Sequence, residues 1–369
     1  MDGITPMARE PLRHDIKSGR HFGLLELGRF VAALLVVLFH ADTAIYKFYG
    51  HYVFGNFFRS GHAGVEYFFV LSGFLIFWIH YEDIGKPGRS RNFFLRRAIR
   101  ILPMYWLVLL TVIAAYKIVP SLLQGRHFSP LDYICDALLI PRHGEMILSV
   151  AWTLRQEFVF YGIMMVSILI RRVGMKLIIA WQLAVAVSTF IDFRTGNPLL
   201  SALLNTYNLG FGAGIAIACW SIHRRVTGGA VIIAIGTAMF ITVSIVDWQI
   251  GSGHASEYLA LGDRVGPLLY TISAAVIIFG CVAYEAHYPS AVSQVVTVLG
   301  GASYLLYLTH GAVTSTLVRL VRHALVPNMQ AEFVYALLIL AAIAAAVAGH
   351  ILIERPIIRH LQARARKVS

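Results

Sequence analysis

Charged side chains are scarce in this 369-residue sequence: Asp, Glu, Lys and Arg together make up 14% of it. A soluble domain carries about a quarter, so a water-facing surface over most of the chain is excluded. Cysteine is scarcer still. Cys135, Cys219 and Cys281 have no paired spacing, and two of them fall in apolar stretches, which excludes a disulfide framework and a zinc site; no metal is expected. Long polar stretches, internal repeats and low-complexity segments are also missing. No room is left for a separate soluble catalytic domain, so any chemistry must lie among apolar helices or on their short connections.

What is present is apolar: hydrophobic residues make up 58% of the chain. Ten stretches have the length to span a bilayer, at residues 24–44, 63–81, 101–119, 148–170, 175–191, 199–220, 229–247, 265–285, 300–320 and 332–353. The fifth is short for a full crossing. The expected fold is therefore all-α and polytopic, with about ten transmembrane helices. The first stretch has a long preceding tail, contains Arg29 and lacks a small-x-small cleavage pattern, so it reads as a retained span and not a signal peptide. Residues 1–22 and 356–369 read as tails flanking a transmembrane domain over 23–355.

The formal net charge is +12. In a membrane chain such an excess reads as basic loops facing anionic lipid, not as a nucleic-acid surface. Of the 31 lysines and arginines, 20 fall on the side of the termini, 9 on the opposite side, and Arg29 and Arg155 within spans. The positive side is normally cytoplasmic. Both termini are thus expected in the cytosol, with the protein in the cytoplasmic (inner) membrane.

Ionisable residues inside spans cost at least a few kcal/mol each and need a reason. Arg29 and His40, in ELGRFVAALLVVLFHAD, are eleven residues apart. That is three helical turns plus about 20°, placing both on one face, separated by roughly 16 Å along the axis. The structural alternative is an arginine reaching for the interface and a histidine satisfied by a neighbouring helix. Glu157 and Tyr161 share a face in SVAWTLRQEFVFYG; Glu157 has the alternative of pairing with Arg155 or Arg29 to tie helices together. His62 and Glu66 share a face in GHAGVEYFFVLSGFLIF, where Ser72-Gly73 reads as a close packing site. Ser303, Tyr307 and His310 form a polar stripe at i, i+4 and i+7. Arg96, Arg97 and Arg100, ahead of Pro103, are either a positive-inside flank or a phosphate cradle, because clustered guanidiniums bind phosphate bidentately. Gly210, Gly212 and Gly214 read as helix packing, and Glu354-Arg355-Pro356 as the end of the last helix.

Taken together these motifs resemble the membrane acyltransferase-3 superfamily, which includes bacterial O-antigen, exopolysaccharide and nodulation-factor acetyltransferases. The resemblance runs from about Leu24 to Pro356. It rests on the Arg29–His40 pair, GVEYFFVLSGF, RRAIRILPMYW, the Glu157–Tyr161 block, SYLLYLTH and the late IERP, all six in order. The family often has Asp where this chain has Glu66. Many relatives carry an added SGNH hydrolase-like domain, and any such step is expected to need another protein here.

The resemblance implies transfer of an acyl group, often acetyl, from acyl-CoA across the membrane to a hydroxyl of a carbohydrate or lipid-linked glycan. On that reading Arg29, Arg96, Arg97 and Arg100 hold the donor, and His40 is the catalytic base or carries the acyl group transiently. Glu66 or Glu157 orients His40, while Tyr161, Ser303, Tyr307 and His310 bind substrate. A proton-coupled transporter or flippase of a glycan or lipid intermediate is the alternative from another class; it predicts inverted repeats and interrupted helices in matching halves, neither of which is found.

Overall fold

The computed structural model describes residues 22–123, 125–170, 172–224, 226–251, 261–288, 293–322 and 329–368. Apart from Phe22, the N-terminal tail lies outside these, as do Arg171 and Arg225. Helices and their connections account for all of the described residues, with no strand among them.

The first apolar run forms α1 (Gly23–Tyr49). Its 27 residues rise about 40 Å, more than the roughly 30 Å hydrocarbon core. It stops at Gly50, whose φ of 78° lets its N–H turn back to the Tyr46 carbonyl. An irregular turn over Val53–Ala63 follows, with Phe54, Gly55 and Asn56 all at positive φ; buried Asp42 on α1 accepts the Val53 N–H at 2.8 Å and pins its start. The chain then enters α2 (Gly64–His80), α3 (Ser90–Ile118), the short α4 (Pro130–Ala137), α5 (Trp152–Leu169) and α6 (Gly174–Phe190). Next come α7 (Pro198–Leu203), α8 (Asn208–His223), α9 (Gly229–Gly251), α10 (Val265–His287), α11 (Gln294–Leu320) and α12 (Ala331–Gly349). A wide turn, His350–Glu354, leads into α13 (Arg355–Val368).

Among the described residues, eight helical stretches are long and apolar enough to cross a membrane, and the chain is a multi-pass membrane protein. The fourth and fifth expected spans are helical too, as α5 and α6. α5 carries Arg155, Gln156 and Glu157, which lower its hydropathy, and α6 has only 17 residues. Three boundaries differ from the sequence reading. α3 begins at Ser90 and runs through Pro103, so the arginine cluster sits on the helix itself. The sixth span is broken between Leu203 and Asn208, where Asn208 Nδ2 donates to the Ala202 and Leu203 carbonyls. The last helix continues past Pro356: the wide five-residue turn spaces the backbone bonds so that the missing proline N–H and the ring are absorbed.

The segment that includes α2 is the centre of the bundle, 78% buried, whereas α9 at 11% faces outward. α1 packs on α2 and α11, α2 on α8 and α10, and α12 covers α1 and α11 from outside. Glycine allows the closest of these contacts. A Cβ on Gly214 would lie 2.0 Å from the Val70 carbonyl oxygen, and one on Gly73 2.2 Å from that of Phe211, so α2 and α8 meet backbone to backbone. This matches the packing role read for Gly73 and Gly214.

A second device fixes the loop after α4. Ser129 and Asp132 cap that helix reciprocally. Beyond it, fully buried Asp136 receives Arg142 Nε at 2.8 Å, Arg142 Nη2 at 3.0 Å and the Ile147 N–H at 2.7 Å. Arg142 also donates to the His143 and Glu145 carbonyls. The Asp136 bond holds the Arg142 guanidinium above its ordinary range. Residues 147–150 are thereby set as a wall beside α1.

Candidate functional site

Three adjoining cavities follow one face of α1. The first, of about 360 Å³, is lined at its charged end by Glu26 and Arg29 from α1, Arg97 and Arg100 from α3, and Glu157 and Tyr161 from α5. Ser303, Tyr304 and Tyr307 of α11 close another side, and the remaining wall is largely apolar, including Val65, Leu71, Leu75 and Ile76 from α2. The second, of about 230 Å³, shares Val65 and Tyr307 with the first and adds His40 and His62. The third, of about 310 Å³, shares His40, Ser149 and Val150 with the second and extends to Lys47, Arg126 and Arg319. One face of α1 thus carries Arg29 in the first cavity and His40 where the second meets the third, as the eleven-residue spacing predicts.

The His40 ring is fixed by its own helix. Nδ1 lies 2.9 Å from the Val36 carbonyl oxygen. A carbonyl only accepts, so Nδ1 carries the proton and Nε2 keeps its lone pair. The expectation that Glu66 or Glu157 orients His40 is replaced by this backbone bond: a carbonyl one turn back is already within reach. His310, fully buried, behaves alike, with Nδ1 2.7 Å from the Tyr307 carbonyl oxygen. Its ring packs edge-on against His40, centroids 4.8 Å apart. His310 lines none of the three cavities, so its contact is with His40.

The carboxylates separate. Glu157 sits in the first cavity, where Oε1 accepts from Ser72 Oγ at 3.0 Å and from Tyr161 Oη at 2.5 Å. Ser72, read only as packing, is therefore also a partner of Glu157. Glu66 is 1% exposed, lines none of the three cavities, and has no hydrogen-bond partner on either oxygen among the described residues. Its neighbourhood is a buried group next to His40: His62 Nε2 is 3.4 Å from Asp247 Oδ2, which also accepts from Tyr270 at 3.2 Å. Asp247 went unremarked in the sequence, although a carboxylate at the end of an apolar stretch was the available signal.

The arginines separate as well. Arg97 and Arg100 line the first cavity; Arg96 is exposed and does not. Arg97 Nε is buried without a partner among the described residues, a cost a bound anion would remove. Along α11, Ser303 Oγ donates to the Gly300 carbonyl. Tyr307 Oη accepts from Thr153 Oγ1 at 3.1 Å and donates to the Val150 carbonyl at 3.3 Å, a gatepost between the first two cavities. Glu26, Thr153 and Tyr304 were not anticipated. Their side chains reach the cavity through helix rotations that an isolated pattern does not reveal.

Residues 23–355 match the family model of the acyltransferase-3 (acyltransferase domain) family. The chain belongs to the acyltransferase-3 family. It is also similar to the exopolysaccharide production protein ExoZ of Rhizobium meliloti (strain 1021), with 27% identity over 331 residues, 85% of this chain and 94% of that protein. No solved structure matches. Family membership makes the chain a membrane acyltransferase, not the transporter or flippase held open as its alternative. The first and second cavities, with Arg29, Arg97, Arg100, Glu157 and His40, are the candidate active site of this acyltransferase-3 chain.

Proposed function

We propose that the protein transfers an acyl group, acetyl in the simplest case, from acyl-CoA to a hydroxyl of an exopolysaccharide or its lipid-linked precursor. The observation that carries this reading is the file of cavities with guanidiniums at one end and the His40 Nε2 lone pair further along. The similarity to a protein named for exopolysaccharide production supports the acceptor class.

Arg97 and Arg100 offer forked donors to the phosphates of CoA. The apolar wall of the first cavity suits the pantetheine arm, and Arg29 supplies a fixed cation along the way. Glu157, bridged by Ser72 and Tyr161, holds that wall and balances the guanidiniums. The thioester passes Tyr307 to reach His40. His40 Nε2 takes the proton of an acceptor hydroxyl as its oxygen attacks the thioester carbonyl. The C–S bond breaks, the new ester forms, and the thiolate of CoA takes up a proton on leaving. The excess of basic residues on the side of the termini supports a cytosolic donor end in the cytoplasmic membrane.

The test is His40→Ala and His40→Gln in reconstituted protein, measured as acetyl transfer from labelled acetyl-CoA. Product formation should fall on the order of 10²–10⁴-fold in both, with acetyl-CoA binding and thermal stability retained. Near-normal turnover by His40→Ala removes the histidine from the chemistry.

A further inference from the structure

The third cavity lies beyond His40 from the CoA end, and its charge is one-sided. Among the described residues its charged lining is three cations, Lys47 of α1, Arg126 of the loop after α3, and Arg319 of α11, with no Asp or Glu. Lys47 is seven residues beyond His40, two turns along the same face and about 10 Å along the axis. Arg126 is held in place: Nη2 donates to Tyr116 Oη at 2.7 Å and Nε to the Leu123 carbonyl at 3.2 Å. Its facing carboxylate, Glu145, is 4.0 Å away and three-quarters exposed, a weak pairing. Arg319 lies over the Phe48 ring at 6.0 Å, and its Nε is buried with no hydrogen-bond partner among the described residues. A positioned guanidinium and a second with an orphaned buried donor supply the donors an anion would take.

We propose that this cavity is the acceptor subsite and that it recognises an anionic group on the glycan, a carboxylate or a phosphate, while a hydroxyl of the same glycan meets His40. The inference rests on the acyl-CoA reading and adds the chemical class of the acceptor. Two sources carry that chemistry: an acidic sugar or acidic substituent, and the phosphate that links a glycan to its lipid carrier. Either charge would anchor the acceptor about two helical turns from the base, so that the reacting hydroxyl belongs to a neighbouring unit and not to the charged group itself. Neutral glycans would find no partner for the arginines and would enter only weakly.

Membranes from cells lacking the gene supply the unmodified native acceptor, to which purified full-length protein and labelled acetyl-CoA are added. Arg126→Gln and Arg319→Gln should each raise KM for the acceptor tenfold or more and leave KM for acetyl-CoA within twofold, with Arg319→Lys recovering part of the loss. Reduction of the acceptor's carboxyls should reproduce the effect in wild-type protein if the charge belongs to a sugar. Mild-acid release of the lipid phosphate should reproduce it if the charge belongs to the carrier. An acceptor KM indifferent to both treatments and both variants overturns the proposal.

A second measurement needs no transfer. Glucuronate or geranyl pyrophosphate should raise the thermal stability of wild-type protein more than that of the Arg126→Gln, Arg319→Gln double variant, with glucose as the neutral control. Equal shifts in the two proteins overturn the subsite. Loss of labelling by wild-type protein with this difference intact would refute the acyl-CoA reading and leave the anion site standing.

Discussion

Asp136 and Arg142 form a clamp far in sequence from any motif, and its removal should be felt at the cavities. Asp136 is fully buried and Arg142 is 11% exposed. Two charge-assisted bonds join them, and the Ile147 N–H makes a third to the same carboxylate. Removing Arg142 leaves the fully buried Asp136 carboxylate without a cation, at a cost of about 3–5 kcal/mol. Removing Asp136 leaves Arg142 its second carboxylate, Asp132 at 3.2 Å, and should fall toward the lower end of that range. At 1.4 kcal/mol per factor of ten, that is about 10²–10⁴-fold in the opening equilibrium of the segment. Asp136→Ala should therefore speed amide hydrogen exchange at Ile147 by a factor toward the lower end of that span, while α2 and α8, which meet backbone to backbone, keep their protection. Ile147, Leu148, Ser149 and Val150 all line the third cavity, so acceptor KM should rise with the loosening. Arg142→Ala should cost at least as much, because the fully buried Asp136 carboxylate is then the uncompensated charge. Combining Asp136→Asn with Arg142→Gln, which removes both charges, should cost less than either truncation. Exchange at Ile147 unchanged in Asp136→Ala would refute the clamp as what holds this wall.

Three further outcomes are expected. Gly214→Ala, whose Cβ would fall 2.0 Å from the Val70 carbonyl oxygen, should lower thermal stability by more than the ~1–3 kcal/mol of ordinary overpacking, whereas Gly162→Ala, with nothing within 4 Å of its added Cβ, should be tolerated; equal melting temperatures refute the backbone contact. Arg100→Ala should raise KM for acetyl-CoA and Arg100→Lys rescue it only in part, because an ammonium lacks the guanidinium fork; a loss confined to the acceptor refutes the phosphate cradle. Single cysteines placed near Lys86 and near Arg126 should differ in labelling by an impermeant thiol reagent on intact cells, with only the second reactive; the reverse pattern refutes a cytosolic donor end.

Helices were legible in the sequence because their signal is local: an apolar run of spanning length needs no knowledge of its neighbours. All ten expected stretches contain helix, and the misplaced ends have local causes that act against hydropathy. The polar first turns of α3, Ser90 to Arg100, are helical although charged, and Pro356 sits in α13 because a wide turn precedes it. Within the site, Arg29 and His40 were legible for the same reason, since one helix sets their relation. Cross-helix pairs were not. Ser72 meets Glu157 across 85 residues and Tyr307 meets Val150 across 157, contacts that depend on how helices cross. The orienting bond on His40 was missed for another reason: side-chain chemistry suggested a carboxylate, while the helix backbone offered an acceptor four residues away.

α1 acts as a ruler in this arrangement, and the packing around it explains why the ruler holds. Arg29 and His40 are separated by three turns whose length cannot change without breaking backbone hydrogen bonds. α1 is gripped along its length by α11, which brings Ser303, Tyr304 and Tyr307 to the Arg29 level and His310 to the His40 level. The same two helices carry Lys47 and Arg319 beyond His40. Arg29, His40, Lys47 and Arg319 therefore sit on one pair of packed helices, with Arg97 and Arg100 of α3, Glu157 of α5 and the clamped loop facing them. On the proposed acyl-CoA reading, the acyl group travels the length of the first cavity to His40 by reach, with no rocking of one half of the bundle against the other. Under that proposal a histidine fixed between the donor and acceptor cavities replaces alternating access, so an inverted repeat is not called for.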